Sequence, residues 1–191
     1  GELALRYRAF WPRDGLRPSA FPEPPQRSLQ RGLQRIRAWA QEAEPLIRRW
    51  QQAEAERAAL AHWRVAVAQI GEGVVDLAQA ARARPPLQVR LFVWPLAGEP
   101  AGMDAVEGAM GPLLRTFHTE GERYALALGD ASPMQALAQQ VLSLKGQVYE
   151  LPPWLGPDRA GTAAAIDARR GAAEGQESAA RTELAALADR H

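Results

Sequence analysis

The chain has 191 residues, 47% of them apolar, with 23 Lys and Arg against 22 Asp and Glu for a formal charge of +1, and it contains no Cys. That length fits one domain, or a small domain with an extension. The missing Cys excludes disulfides, zinc–thiolate sites, iron–sulfur clusters and thiol nucleophiles, the interspersed charges argue against a phosphate-neutralising surface for nucleic acid, and no apolar run reaches the roughly 20 residues that span a bilayer.

Residues 1–27 combine Leu5, Tyr7, Phe10 and Trp11 with Pro18, Pro22, Pro24 and Pro25, which predicts an extended Pro-rich linker. With no Met and no signal-peptide pattern at Gly1, the chain reads as a section of a longer protein. From Ser28, a suitable N-cap, residues Leu29, Leu33, Ile36, Ala40, Ala43, Ile47 and Trp50 alternate steps of four and three. This is a coiled-coil seam, and it makes residues 28–60 an outgoing arm. Pro45 predicts a kink or a restart, because proline removes a backbone donor and disfavours helix in the residue before it.

A second register runs through Leu60, Trp63, Val67, Ile70, Val74, Leu77 and Ala81, reached through two successive steps of three at Ile47, Trp50 and Ala53. That is the pattern of a stammer, and it shifts the seam to another face. Gly71 and Gly73 weaken this helix and Pro85-Pro86 ends it. The period then changes to two: Leu87, Val89, Leu91 and Val93 alternate with Gln88, Arg90, Phe92 and Trp94, the mark of a half-buried strand closed by Pro95.

Helical spacing returns at Met103, Val106, Met110, Leu113 and Phe117, followed by a strand over 123–128 with Tyr124, Leu126 and Leu128 on one face. Ser132-Pro133 with Gln135 predicts a capped helix start, Met134, Leu137, Val141 and Leu144 its apolar stripe, and Gly146 its C′ residue. A strand over 147–151 runs into Pro152-Pro153. The reading is a three-stranded βαβαβ lobe over 61–161, of α/β (α+β) class. After Gly156-Pro157-Asp158, Thr162 is placed to cap a helix over 162–191 with heptad positions Ile166, Ala173, Ala180 and Leu187. Its length matches the outgoing arm, which suggests a long antiparallel helical hairpin with the lobe at its tip.

No chemical motif survives inspection. Gly71-Glu72-Gly73 sits in a helical pattern without the third Gly of a dinucleotide loop, and Ser132 is explained as a cap. His62, His118 and His191 share no metal-ligand spacing, and His62 and His118 read as partly exposed helix residues. The Glu42/Glu44 and Glu54/Glu56 pairs diverge on a helix and act as solvated-face charges. The expectation is therefore no catalytic residue, no metal and no cofactor. Arg82, Arg84 and Arg90 could receive an acidic partner, although cations also suit a helix C-terminus. Arg90, Phe92 and Trp94 share one sheet face. An Arg/aromatic set of that kind is either an interface patch or a core face covered by the helix from Leu60 to Ala81.

The heptad arm, the small lobe ending in Gln147-Val148-Tyr149-Glu150-Leu151-Pro152, and the Ala/Glu/Leu-rich returning helix from Thr162 to His191 together resemble the soluble N-terminal region of rotary V-type ATPase subunit I, the homologue of eukaryotic subunit a. In that family two α/β lobes are joined by a helical hairpin and a membrane domain follows; this chain looks like the distal lobe with its arms. The resemblance implies a non-catalytic stator component on the cytoplasmic face of the membrane. Its partner would be the peripheral-stalk heterodimer of E- and G-type subunits, with Arg90, Phe92, Trp94, Arg82 and Arg84 as candidate contacts. The family's proton-path residues have no counterpart here. The alternative class is a coiled-coil plus ferredoxin-like scaffold of a bacterial pilus or secretion assembly.

Overall fold

A computed structural model describes residues 24–69, 87–97, 114–155 and 159–190. Its elements are α1 (Pro25–Gln69), β1 (Leu87–Pro95), β2 (Leu114–His118), β3 (Glu122–Asp130), α2 (Ala131–Ser143), β4 (Gln147–Glu150) and α3 (Arg159–Arg190). They divide into two compact units, Gly1–Arg57 with Gly171–His191, and Ala58–Arg170. Long helices together with a small antiparallel sheet make the class α+β.

The first unit packs α1 against α3. Trp39, Ala40, Ala43 and Ile47 form one buried cluster with Leu184 and Leu187, and Leu46 and Trp50 lie at its margin. Ala53 of α1 and Ala173 and Ala180 of α3 are buried as well, so small side chains let the backbones approach. The anticipated α3 seam is present, with Ala173, Ala180 and Leu187 all buried. Cross-helix ion pairs join Arg57 to Glu177, Arg49 to Glu183 and Glu42 to Arg190, and the descending partner numbers establish antiparallel pairing.

In the second unit the sheet order is β2-β3-β1-β4, with every pairing antiparallel. Val89, Leu91 and Val93 of β1, opposite Leu128, Leu126 and Tyr124 of β3, face Leu60, Trp63, Ala66 and Val67 of α1 and Ile166 of α3. Phe92 and Trp94 point the other way and pack with Ala125 and Ala127 of β3 beneath Met134, Leu137, Ala138 and Val141 of α2. Period-two alternation thus feeds two cores from one strand. The bulky residues of this second face come from β1 and the small ones from β3, which leaves room for α2.

Several expectations are corrected. Among the described residues the sheet has four strands, not three: residues 114–118 are strand β2, and Phe117, read as the last position of a helical stripe, lies opposite Tyr124. Proline stands at the first helical position of α1, where its missing N–H costs nothing, so the helix opens at Pro25 and Ser28 is not its cap. Pro45 is exposed and α1 runs through it unbroken. Asp130 rather than Ser132 is the N-cap residue of α2, which leaves Pro133 in the first turn, where helix donors are unpaired anyway. Likewise α3 opens at Arg159, so Thr162 is a buried residue inside the helix. The second register from Ile70 to Ala81, Gly71 and Gly73, the Pro85-Pro86 stop, the spacing from Met103 to Leu113, the linker over 1–23 and the Gly156-Pro157-Asp158 loop lie outside the described residues.

The end of α2 shows why two residue types stand where they do. The left-handed position falls on Lys145, at φ 60°, and not on Gly146. Lys145 N–H bonds Leu142 O at 3.0 Å and Gly146 N–H bonds Val141 O at 2.9 Å, the two bonds of a Schellman cap. Glycine is needed at 146 for space, since an added Cβ would meet Val93 O and the Val141 side chain at 2.5 Å. Lys145→Gly, which relieves a left-handed side-chain residue, is expected to stabilise the fold by about 0.5–1 kcal/mol. Gly146→Ala is expected to destabilise it by about 1–3 kcal/mol. Equilibrium urea denaturation measures both, and an unchanged midpoint for Gly146→Ala would contradict the close approach.

Candidate functional site

The structure separates the five residues singled out from sequence. Phe92 is 0% and Trp94 3% exposed, both under α2. Of the two readings of that face, Phe92 and Trp94 take the core one. The covering element is α2, whereas the residues of α1 that reach the sheet cover its opposite face. Arg90 remains half-buried, 3.9 Å from Glu150, its direct neighbour across the β1–β4 ladder. Arg82 and Arg84 lie outside the described residues.

The second unit instead gathers a polar cluster with no local signature in the sequence. His62 of α1, Tyr124 and Glu122 of β3 and Tyr149 of β4 come together beside the apolar face that α1 covers. Tyr124 Oη donates to Glu122 Oε2 at 2.7 Å and lies 3.1 Å from His62 Nδ1. Because the single phenolic proton is committed to the carboxylate, His62 must carry its proton on Nδ1 and donate it to Tyr124. The imidazole packs against Tyr149 at 5.3 Å and Tyr124 at 5.8 Å between ring centroids, and Phe117 stacks on Tyr124 at 5.0 Å.

Burial lowers the pKa of His62 below its ordinary value, and Glu122, 3.6 Å away, offsets part of that effect. Burial raises the pKa of Tyr124, reinforced by the hydrogen bond to Glu122, and burial raises that of Tyr149, reinforced by the same carboxylate. The chemical result is a relay of donors, imidazole to phenol to carboxylate, that ties α1 to the sheet. His118, in β2, is exposed. Among the described residues no group of three or more His, Cys, Asp or Glu is placed to hold a metal ion, and no helix is long and apolar enough to cross a membrane.

The first unit carries its polar contacts on the helix pair. Glu177, at 12% side-chain exposure in the seam of α3, receives Arg57 Nε at 3.2 Å and Arg181 at 3.4 Å. Arg181 also lies over the Trp50 ring, 4.6 Å from its centroid.

No family model matches the sequence, and no curated protein matches it. Among solved structures the chain is similar to the cytoplasmic N-terminal domain of subunit I, homologue of subunit a, of V-ATPase, with 19% identity and a TM-score of 0.41. The match covers 99% of this chain and 61% of that one, so the chain spans about three fifths of that domain's length.

Two outcomes test the site geometry. A His whose folded pKa lies below its unfolded value contributes stability that is complete above the unfolded pKa, near 6.5, and is lost as pH falls through the folded one. Thermal melts from pH 8 to pH 5 should therefore show a steeper loss for the natural chain than for His62→Gln; parallel curves would refute the burial of His62 in this hydrogen-bonded cluster. Phe92→Ala should cost about 3–5 kcal/mol of unfolding free energy, as for a fully packed aromatic. Retained stability in chemical denaturation would return that residue to the surface.

Proposed function

We propose that the chain is a non-catalytic stator component of a rotary V-type ATPase, linking peripheral stalks to the membrane sector at its cytoplasmic face. The observation that carries this reading is the α1–α3 pair of the first unit. Two antiparallel helices joined by a buried Trp/Ala/Ile/Leu seam resist bending better than one helix does. Their ion pairs, Arg57 to Glu177, Arg49 to Glu183 and Glu42 to Arg190, are spread along the contact and oppose sliding. A part that holds against torque needs that property more than it needs a reactive group.

The segments that carry the resemblance to subunit I fit the same role. Gln147–Glu150 is an edge strand of the sheet and Arg159–Arg190 a single long helix. The second unit offers a platform whose sheet is packed on both faces, a rigid base for a protein partner. The partner in this reading is the stalk heterodimer of E- and G-type subunits. Arg90, beside Glu150 at the sheet edge, is the contact proposed from the described residues, and Arg82 and Arg84 complete the basic set by sequence.

Isothermal titration of the folded chain with the purified stalk heterodimer tests the proposal. The expected outcome is saturable binding weakened by Arg90→Glu. No heat of binding from a chain with intact circular dichroism would overturn it.

A further inference from the structure

The paired stretch of the first unit stops short of the start of α1. Arg190, at the end of α3, lies 4.0 Å from Glu42, and the antiparallel register places no described α3 residue beside the turns that precede Trp39. The apolar seam nevertheless continues there. Leu29, Leu33 and Ile36 extend the four-and-three spacing of Ala40, Ala43 and Ile47, yet Leu29 is 68% and Leu33 41% exposed. A monomer gains nothing from two leucines held in water at seam positions.

The same turns are strongly basic. Arg27, Arg31, Arg35 and Arg37 occur with no Asp or Glu between Pro25 and Gln41, and the first turn of α1 has no acidic residue. Arg27, in the first turn of α1, opposes the helix dipole and favours an anionic neighbour. Arg35 stands one heptad before Glu42 and two before Arg49, and both of those reach across to α3. Arg35 therefore occupies the next position along the flank that already makes cross-helix ion pairs, and Arg37 lies toward the other side of the stripe.

We propose that residues 26–37 of α1 are a docking surface for an acidic amphipathic α-helix of another protein, seated in continuation of the α1–α3 seam. Its leucine-type residues cover Leu29, Leu33 and Ile36, and its carboxylates meet Arg35 and Arg37. A second copy of this chain fits badly, because joining the two faces would set Arg35 and Arg37 of one copy against arginines of the other. A lipid surface fits less well than a helix, because the apolar stripe has the narrow four-and-three form of a helix–helix seam and lacks the broad aromatic-bearing face of interfacial helices. This inference stands independently of the stator reading.

The test uses the intact 191-residue chain and two fluorescein-labelled synthetic helical peptides with the same leucine spacing, one flanked by Glu and the other by Lys. Anisotropy titrations should show the Glu peptide binding at least about tenfold more tightly, with affinity falling as salt rises. Leu29→Ser with Leu33→Ser, both at exposed sites and checked for folding by circular dichroism, should weaken that binding by about tenfold or more. Arg35→Glu with Arg37→Glu should shift preference toward the Lys peptide. Equal binding of the two peptides, or Glu-peptide binding indifferent to the serine variant, overturns the proposal. So does co-sedimentation with phosphatidylserine vesicles that the serine variant abolishes, which assigns the face to lipid. A concentration-dependent dimer in ultracentrifugation, lost in the same variant, also overturns it by assigning the face to a second copy.

Discussion

Strand β1 is buried on both sides, and the second unit is organised around that fact. A strand with one wet face can shift register at the cost of exposing a single set of side chains. Here a one-residue slip would exchange Val89, Leu91 and Val93 with Phe92 and Trp94 across two differently shaped cores. The aliphatic face meets α1 and α3 through Trp63, Val67 and Ile166, while the aromatic face needs the space that Ala125 and Ala127 leave beside it. The backbone approach at Gly146 belongs to the same constraint, since the turn after α2 closes directly onto the carbonyl of Val93.

The first unit is built on another principle. Ala40, Ala43 and Ala53 of α1, with Ala173 and Ala180 of α3, bury little area each, so the packing depends on close approach and on a few large anchors such as Trp39 and Ile47. Polar contacts are correspondingly prominent along its flanks. Most of those ion pairs are solvent-exposed and individually weak, and their contribution lies in where they sit along the contact rather than in their sum.

Much of this was readable from spacing alone. The stripe of Met134, Leu137 and Val141 and the α3 heptads at Ile166, Ala173, Ala180 and Leu187 lie buried as their period implies, whereas β1, read as a half-buried strand, is covered on both faces. What periodicity states is that a face is covered; it does not state by what. The aromatic face of β1 was therefore legible as a face but not as the seat of α2. Strand β2 escaped because five residues give too few alternations to compete with the four-residue step from Leu113 to Phe117. The caps failed for a related reason: Ser132-Pro133 and Thr162 satisfy local start signals, yet the helices extend back as far as the surrounding chain permits. The His62 cluster left no trace in the sequence, because its members stand at positions 62, 122, 124 and 149 and only the β1–β3 and β1–β4 ladders bring the two tyrosines within reach of one imidazole.

Glu177 has a consequence of its own. Where the seam is lined by Ala53, Ala173 and Ala180, away from the anchors Trp39 and Ile47, packing alone does little to distinguish neighbouring registers. A carboxylate set among those alanines and held by Arg57 from the facing helix makes the registers unequal. A slip of seven residues toward the start of α1 would carry Glu177 from Arg57 to the ring of Trp50, whose face repels an anion. The acidic residue thus singles out one register of the helix pair, the one in which its carboxylate meets Arg57.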